Sequence, residues 1–411
     1  MLLAPNDRLR TAPPLRKSRL CMLADAGLLA VIVIAILIHL GLLAGMAADV
    51  AGVFLRALAL STALSMMPLA VLWFLDRRER ETPWLFAAAF LWGGCIATAL
   101  VLPFNTAFFQ IVDRWVALNP VVTEILGPDA TTLIAAPLSA PIAEELAKAA
   151  GVALIFWLLH DEFDNMRDGF VYGALVGIGF NWFEAALYVA QGYVAEGVPP
   201  YGLQLGARYA LFGLGGHAMF TALFGLFLGL AVQTRRGWLK VLAPIVGLVL
   251  AIAAHMWNNA LPLFAALAAA AAGQPPGVPP ELEEAVAEAG FLATFAAGSV
   301  FQLVIFVPFL LIAGLALWRS GVWERRVIRE ELAAEVGSLV SEEEYREVLA
   351  DRMLRTRRIS NVHPNLSAAL VHAQHELAFR KRRVRDRGGD PERDPLVAGW
   401  RRDILALRQL L

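Results

Sequence analysis

The chain has 411 residues, of which 58% are hydrophobic and only 17% charged, with a formal net charge of -1 and a mean hydropathy of +0.59. Soluble domains carry roughly 25% charged residues, so a single soluble globule is excluded. A near-zero net charge gives no reason to expect nucleic acid as a partner, and two cysteines exclude a disulfide framework.

A helix needs about 20 mostly apolar residues to cross the hydrocarbon core. Eight stretches meet that length: 22–45, 50–75, 83–104, 132–159, 169–191, 206–232, 239–267 and 290–318. Backbone in lipid must satisfy its own hydrogen bonds, so the expected fold class is an all-α polytopic membrane protein. The domain organisation follows: an N-terminal segment 1–21, about eight transmembrane helices over 22–318, and a soluble helical tail, 319–411. The tail holds 19 of the 35 Lys and Arg and 15 of the 36 Asp and Glu.

Loop charges orient the spans. Arg8, Arg10, Arg16, Lys17 and Arg19 precede span one, and Arg77, Arg78 and Arg80 follow span two. Arg235, Arg236 and Lys240 follow span six, and Arg319, Arg325 and Arg326 follow span eight. The alternate loops 46–49 and 273–289 have no Lys or Arg, and 105–131 has only Arg114. Both termini are therefore expected in the cytoplasm, with the chain in the cell (inner) membrane and the bilayer as its surroundings. The first apolar run is too long for a signal peptide and no small-residue cleavage site closes it, so it reads as an uncleaved span.

Intramembrane polar residues cost roughly 2.5–3.5 kcal/mol each on insertion scales. Here they concentrate in spans four to seven: Glu144, Glu145 and Lys148, then Asn181, Glu184 and Tyr188, then His217, then His255, Asn258 and Asn259. Glu144 with Lys148, Glu184 with Tyr188, and His255 with Asn259 are each i,i+4 pairs on one helix face. At about 1.5 Å per residue, Glu144 and His217 lie about 18 and 16 Å from the outer side, and Glu184 and His255 about 22 and 24 Å from the inner side. Four spans thus bring acid, base and amide groups to overlapping depths. Pro137 and Pro141 just before Glu144 predict a kink or broken turn. Gly173, Gly177 and Gly179 in span five, and Gly213, Gly215 and Gly216 in span six, predict close helix approach. His39 in span one reads as a packed or snorkelling side chain rather than a ligand.

In the tail, Ser341 and Glu344 form a capping-box pattern. The run Arg380-Lys381-Arg382-Arg383 could sit on anionic headgroups or form a solvated face. His372, His375 and Glu376 fit neither common zinc spacing and read as surface residues.

These motifs resemble the PrsW family of intramembrane proteases, relatives of the CAAX-protease and bacteriocin-processing membrane peptidases. The resemblance rests on EExxK at Glu144, Glu145 and Lys148, and on FExxxY at Phe183, Glu184 and Tyr188. An intramembrane His217 and HxxxN at His255 and Asn259 complete it, over about residues 135–265. It implies a catalytic core at about 132–267 built from Glu144, Glu145, Lys148, Glu184, His217, His255 and Asn259, supported by Phe183, Tyr188 and Asn258. The implied activity is hydrolysis of a peptide bond in a membrane-anchored protein, in the family's known role an anti-sigma factor. Zinc on Glu144, His217 and His255 would suit the metalloprotease description; a metal-free glutamate mechanism uses the same residues. Midplane acids and proline-broken helices are also transporter features, but the polar residues do not repeat between spans 1–4 and 5–8. A non-catalytic sensor whose tail binds a partner is a third reading.

Overall fold

The computed structural model describes residues 19–76, 83–158, 163, 165–275, 281, 285–286, 288–350 and 363–411. The N-terminal cations Arg8, Arg10, Arg16 and Lys17, and the loop cations Arg77, Arg78 and Arg80, lie outside them.

Among the described residues the regular structure is helical, with one isolated bridge between Val336 and Val340. Helices α1 (Arg19–Ala44) and α2 (Ala48–Leu75) correspond to the first two predicted spans. Helix α3 (Pro83–Ala117) passes through a π-helical turn at Trp92–Ala97 and runs well beyond residue 104. Much of the expected loop 105–131 is thus helix, completed by α4 (Pro120–Leu126). Helix α5 (Ala130–Leu158) carries the EExxK residues and stays helical through Pro137 and Pro141, so the expected broken turn is absent. Helices α6 (Met166–Glu196), α7 (Tyr201–Tyr209), α8 (His217–Gln233) and α9 (Gly237–Ala271) follow, and α10 (Phe291–Ala333) leads into the tail helices α11 (Glu342–Ala350), α12 (Pro364–Asp386) and α13 (Pro395–Arg408).

The count of eight spans is not reproduced. Among the described residues, five helical stretches are long and apolar enough to cross a membrane: Ala48–Leu75, Pro83–Ala117, Met166–Glu196, Gly237–Ala271 and Ile305–Ala333. Leu29–Ala44, His217–Gln233 and Phe291–Leu303 are apolar but shorter. The predicted span 206–232 is two pieces: the chain leaves α7 at Tyr209, turns through Phe212, Gly213 and Gly216 at positive φ, and restarts as α8 at His217. The apolar run was continuous in sequence, but those φ values end an α-helix.

Helix α6 is the centre of the bundle and is buried along most of its length. Small residues make that possible. A Cβ on Gly173 would lie 2.4 Å from the Thr221 carbonyl oxygen, and one on Gly177 would lie 2.1 Å from that of His217. Backbone of α6 therefore rests on backbone of α8, as small-residue membrane interfaces allow. The N-terminus of α6 is fixed by a capping box between Asn165 and Asp168. His39 is packed as expected: its Nδ1–H donates to Ala35 O at 2.6 Å and its ring meets Phe183 edge-on.

Helix α10 crosses residue 318 without a break, and its last turns join α12 and α13 in a second apolar core around Ile328, Leu332, Leu370, Leu377, Val397 and Ile404. The Ser341–Glu344 capping box forms, each backbone N–H donating to the other side chain at 3.1 Å. The basic run is not one continuous face. Lys381 is buried and donates to Glu335 Oε1 at 2.6 Å, Arg380 pairs with Asp394, and Arg382 with Asp386. His375 is also buried, 2% exposed, contrary to the surface reading. Helix periodicity alone could not show which face α10 and α13 would cover.

Two outcomes follow from these contacts. Gly177→Ala should destabilise the detergent-solubilised protein by about 1–3 kcal/mol, while Gly314→Ala, with open space around it, should not; thermal unfolding that treats both alike would contradict the close α6–α8 contact. In the tail, the Arg380 hydrogen bonds hold the Asp394 carboxyl below the usual carboxylate range. Burial raises Glu335, but hydrogen bonds from Arg401 and Lys381 outweigh it and leave it lowered. Depressed carboxylates stabilise above their ordinary range and lose that contribution as pH falls through it. Protection against hydrogen exchange over 364–386 and 395–408, taken relative to the intrinsic rate at each pH, should therefore fall on acidification, and unchanged protection down to about pH 3 would count against these pairs.

Candidate active site

Lys148 organises the site. It is fully buried on α5 and carries three donors and no acceptor. Its Nζ lies 2.6 Å from Glu145 Oε1, 3.5 Å from Glu144 Oε2 and 2.7 Å from His217 Nδ1. Because the ammonium can only donate, His217 Nδ1 accepts, and its Nε2–H donates to Glu184 Oε2 at 2.8 Å. Arg208 Nε also donates to Glu184 Oε2, at 3.0 Å. On the other side, Glu145 Oε1 accepts from His255 Nδ1–H at 3.0 Å and Glu145 Oε2 from the Thr221 hydroxyl at 3.1 Å.

Aromatic rings seal this network. The Phe180 ring faces Lys148 Nζ at 4.1 Å, and Phe220 stacks on His255 with centroids 4.7 Å apart. Glu144, Glu145, Lys148, Glu184, His217 and His255 are all less than a tenth exposed. Glu144 is the exception to full pairing: its Oε1 accepts from Asn105 Nδ2 at 3.2 Å, but its Oε2 accepts no hydrogen bond.

Six residues expected from the sequence are thus brought together. The remainder lie around them. Asn259 Nδ2 donates to Ala136 O on α5 at 3.3 Å, and Asn258 donates to Asn259. The Tyr188 ring receives the Arg208 guanidinium at 4.5 Å. Phe183 sits on another face of α6, in an apolar cluster with Val53 and Phe54. His217 is not deep inside a span: it is the first residue of α8, just after Gly216.

Sequence reading missed Asn105, Ser139, Arg208 and Thr221. Ser139 donates to Asn105 Oδ1 at 2.8 Å and so orients the amide that holds Glu144. Arg208 carried a usable signal, a lone cation inside a predicted span. Asn105 was hidden because span three was ended at residue 104.

Glu144, His217 and His255 each offer a ligand atom within 4.8 Å of the others, and this buried set is able to hold a metal ion. The donor chemistry fits. Ligating histidines usually donate their second N–H to a carboxylate, and here His217 donates to Glu184 and His255 to Glu145. Glu144 Oε2, ion-paired with Lys148 at 3.5 Å but accepting no hydrogen bond, supplies an anionic oxygen. Lys148 Nζ lies against the Nδ1 lone pair of His217, the one that its bond to Glu184 leaves for a ligand.

Residues 81–280 match the family model described as PrsW family intramembrane metalloprotease. That match covers just under half of the chain. Protease PrsW from Geobacillus kaustophilus (strain HTA426) is 37% identical over 105 residues, 25% of this chain and 42% of that relative. The chain thus spans less than half the length of the curated relative it matches. No solved structure matches. The matched segment contains every member of the buried cluster, from Asn105 to His255, while α1, α2, α10 and the tail lie outside it.

Removing the central cation should be costly. Lys148→Met strands carboxylates in an apolar interior and should destabilise by about 3–5 kcal/mol. Combined with Glu145→Gln, part of that loss should be recovered, giving a non-zero coupling in a double-mutant cycle read by detergent unfolding. Simple additivity would show that the pair does not interact.

Proposed function

We propose that this protein is an intramembrane endopeptidase that hydrolyses a peptide bond of a membrane-anchored protein. The observation that carries the proposal is one buried cluster of two glutamates and a lysine from α5, a glutamate from α6 and histidines from α8 and α9, all inside the matched segment. Ionisable groups gathered inside membrane helices are costly unless they serve a function.

Peptide hydrolysis needs an activated water, charge to stabilise the oxyanion, and a proton for the leaving amine. Glu144 Oε2, free of hydrogen bonds, is the atom that either takes the proton from water or faces a metal ion. Lys148 Nζ supplies fixed positive charge for the oxyanion. Glu145 and Glu184 are positioning residues, orienting His255 and His217 through the bonds described above. Arg208 and Asn105 hold Glu184 and Glu144 in turn. If zinc is the resident metal, Glu144, His217 and His255 would hold it, and it would lower the pKa of bound water and polarise the scissile carbonyl.

The basic residues flanking the spans support cytoplasmic termini and the inner membrane as location. With that orientation, cleavage falls in the outer half of the bilayer. The substrate class is a membrane-anchored protein, and a regulator of the anti-sigma type is what the family resemblance implies. A transporter reading is not favoured, because the polar residues close on one another in a single cluster and the family match is to proteases.

Cleavage of a single-pass substrate in proteoliposomes should fall at least about a hundredfold in Glu144→Gln, Glu145→Gln, His217→Ala and His255→Ala. Unchanged cleavage in all four would overturn the assignment. Loss of activity to a chelator, restored by zinc, would assign the metal; full activity in chelator would assign the glutamate mechanism.

A further inference from the structure

Asn181, on α6 one turn before Glu184, is fully buried. Its Nδ2 donates to Arg208 O at 3.3 Å, while its Oδ1 accepts no hydrogen bond. A buried acceptor left without a donor is costly. The place of that oxygen follows from the contact between α6 and α8. Small residues of α6 meet α8 in steps of four: Gly169 against Gly225, Gly173 against Thr221, and Gly177 against His217. The next step on α6 is Asn181, and α8 has no residue left to meet it, because α8 begins at His217. The amide therefore lies over the open N-terminus of α8, with Oδ1 3.4 Å from where a Cβ on Gly216 would stand.

That terminus carries donors. Gly216 gives α8 no side-chain cap, and the Met219 and Phe220 N–H groups turn back to Gly216 O at 3.0 and 3.1 Å. The His217 and Ala218 N–H groups are the first-turn donors that remain. They adjoin the chemistry, since His217 Nδ1 lies 3.7 Å from Glu144 Oε2. An oxyanion needs such donors, and the side chains around Glu144 have theirs directed elsewhere. Lys148 Nζ serves Glu145, Glu144 and His217, so it lends charge without an N–H to spare. Asn105 serves Glu144, and Asn259 serves Ala136 O.

Resting on the peptidase reading above, we propose that Asn181 Oδ1 accepts a backbone N–H of the substrate and so sets the scissile carbonyl oxygen against the His217 and Ala218 N–H groups. A peptide carries both groups that this place lacks, an N–H for the stranded acceptor and an oxygen for the open donors. Asn181 is then a substrate-binding residue, and the α8 terminus is the oxyanion site. Backbone N–H groups inside a helix are already bonded to its own carbonyls. The site therefore takes a stretch of substrate that is unwound at the scissile bond.

An ester scan of the substrate tests this. In a single-pass substrate, one amide at a time on either side of the scissile bond is replaced by an ester, which removes one N–H. Cleavage in proteoliposomes is measured with wild type and Asn181→Leu. One ester should lower wild-type kcat/KM about tenfold. The same ester should leave Asn181→Leu within about twofold of its own all-amide rate, a coupling that a merely structural Asn181 would not produce. Esters that cost both enzymes equally overturn the proposal. So does a wild type indifferent to every ester, a result that needs no variant. If Asn181→Leu does not fold, Asn181→Ala takes its place in the same scan. A wild type that leaves the all-amide substrate intact, or Glu144→Gln cleaving it at the wild-type rate, defeats the peptidase reading itself and the proposal with it.

Discussion

A fully buried ammonium is the constraint on which this bundle depends. Lys148 cannot reach water, so its charge must be balanced by acceptors brought to it. Two come from its own helix, Glu144 and Glu145, and the third from α8 through His217. Each acceptor then recruits a further group: His255 and Thr221 to Glu145, Asn105 to Glu144, and Glu184 with Arg208 beyond His217. Electrostatic satisfaction of one side chain thus fixes the relative placement of α3, α5, α6, α7, α8 and α9.

That network needs close helix contact, and close contact needs small residues. Gly173 and Gly177 let α6 and α8 meet backbone to backbone, which sets His217 within reach of both Lys148 and Glu184. The turn before α8 matters equally. Had 206–232 been one continuous helix, Arg208 and His217 would lie about 13 Å apart along its axis. The break folds α7 back, so that both reach the same carboxylate oxygen of Glu184.

The tail obeys a different rule. Its core is held by apolar faces, with ion pairs arranged around them. Lys381 has the same problem as Lys148 and solves it similarly, through Glu335 and the Glu331 carbonyl. Because α10 continues from the membrane into this core, the Arg167–Glu324 pair at 2.8 Å and the Arg235–Asp386 contact couple it to the bundle.

The sequence by itself determined the helical membrane class, the charged tail and the identity of the six central polar residues. These are legible because burying an ionisable group in lipid is expensive, so each one inside an apolar run is a signal. Helical spacing also placed Glu144 and Lys148 on one face. Only the tertiary structure decided that the sixth apolar run is broken at 210–216, that α3 extends to carry Asn105 into the site, and that Asn259 serves the α5 backbone while Arg208 serves Glu184. It also turned Lys381 and His375 inward. Hydropathy reports the average environment of a segment, whereas a chain break, a hydrogen-bond partner or a buried face depends on what a neighbouring helix brings to it.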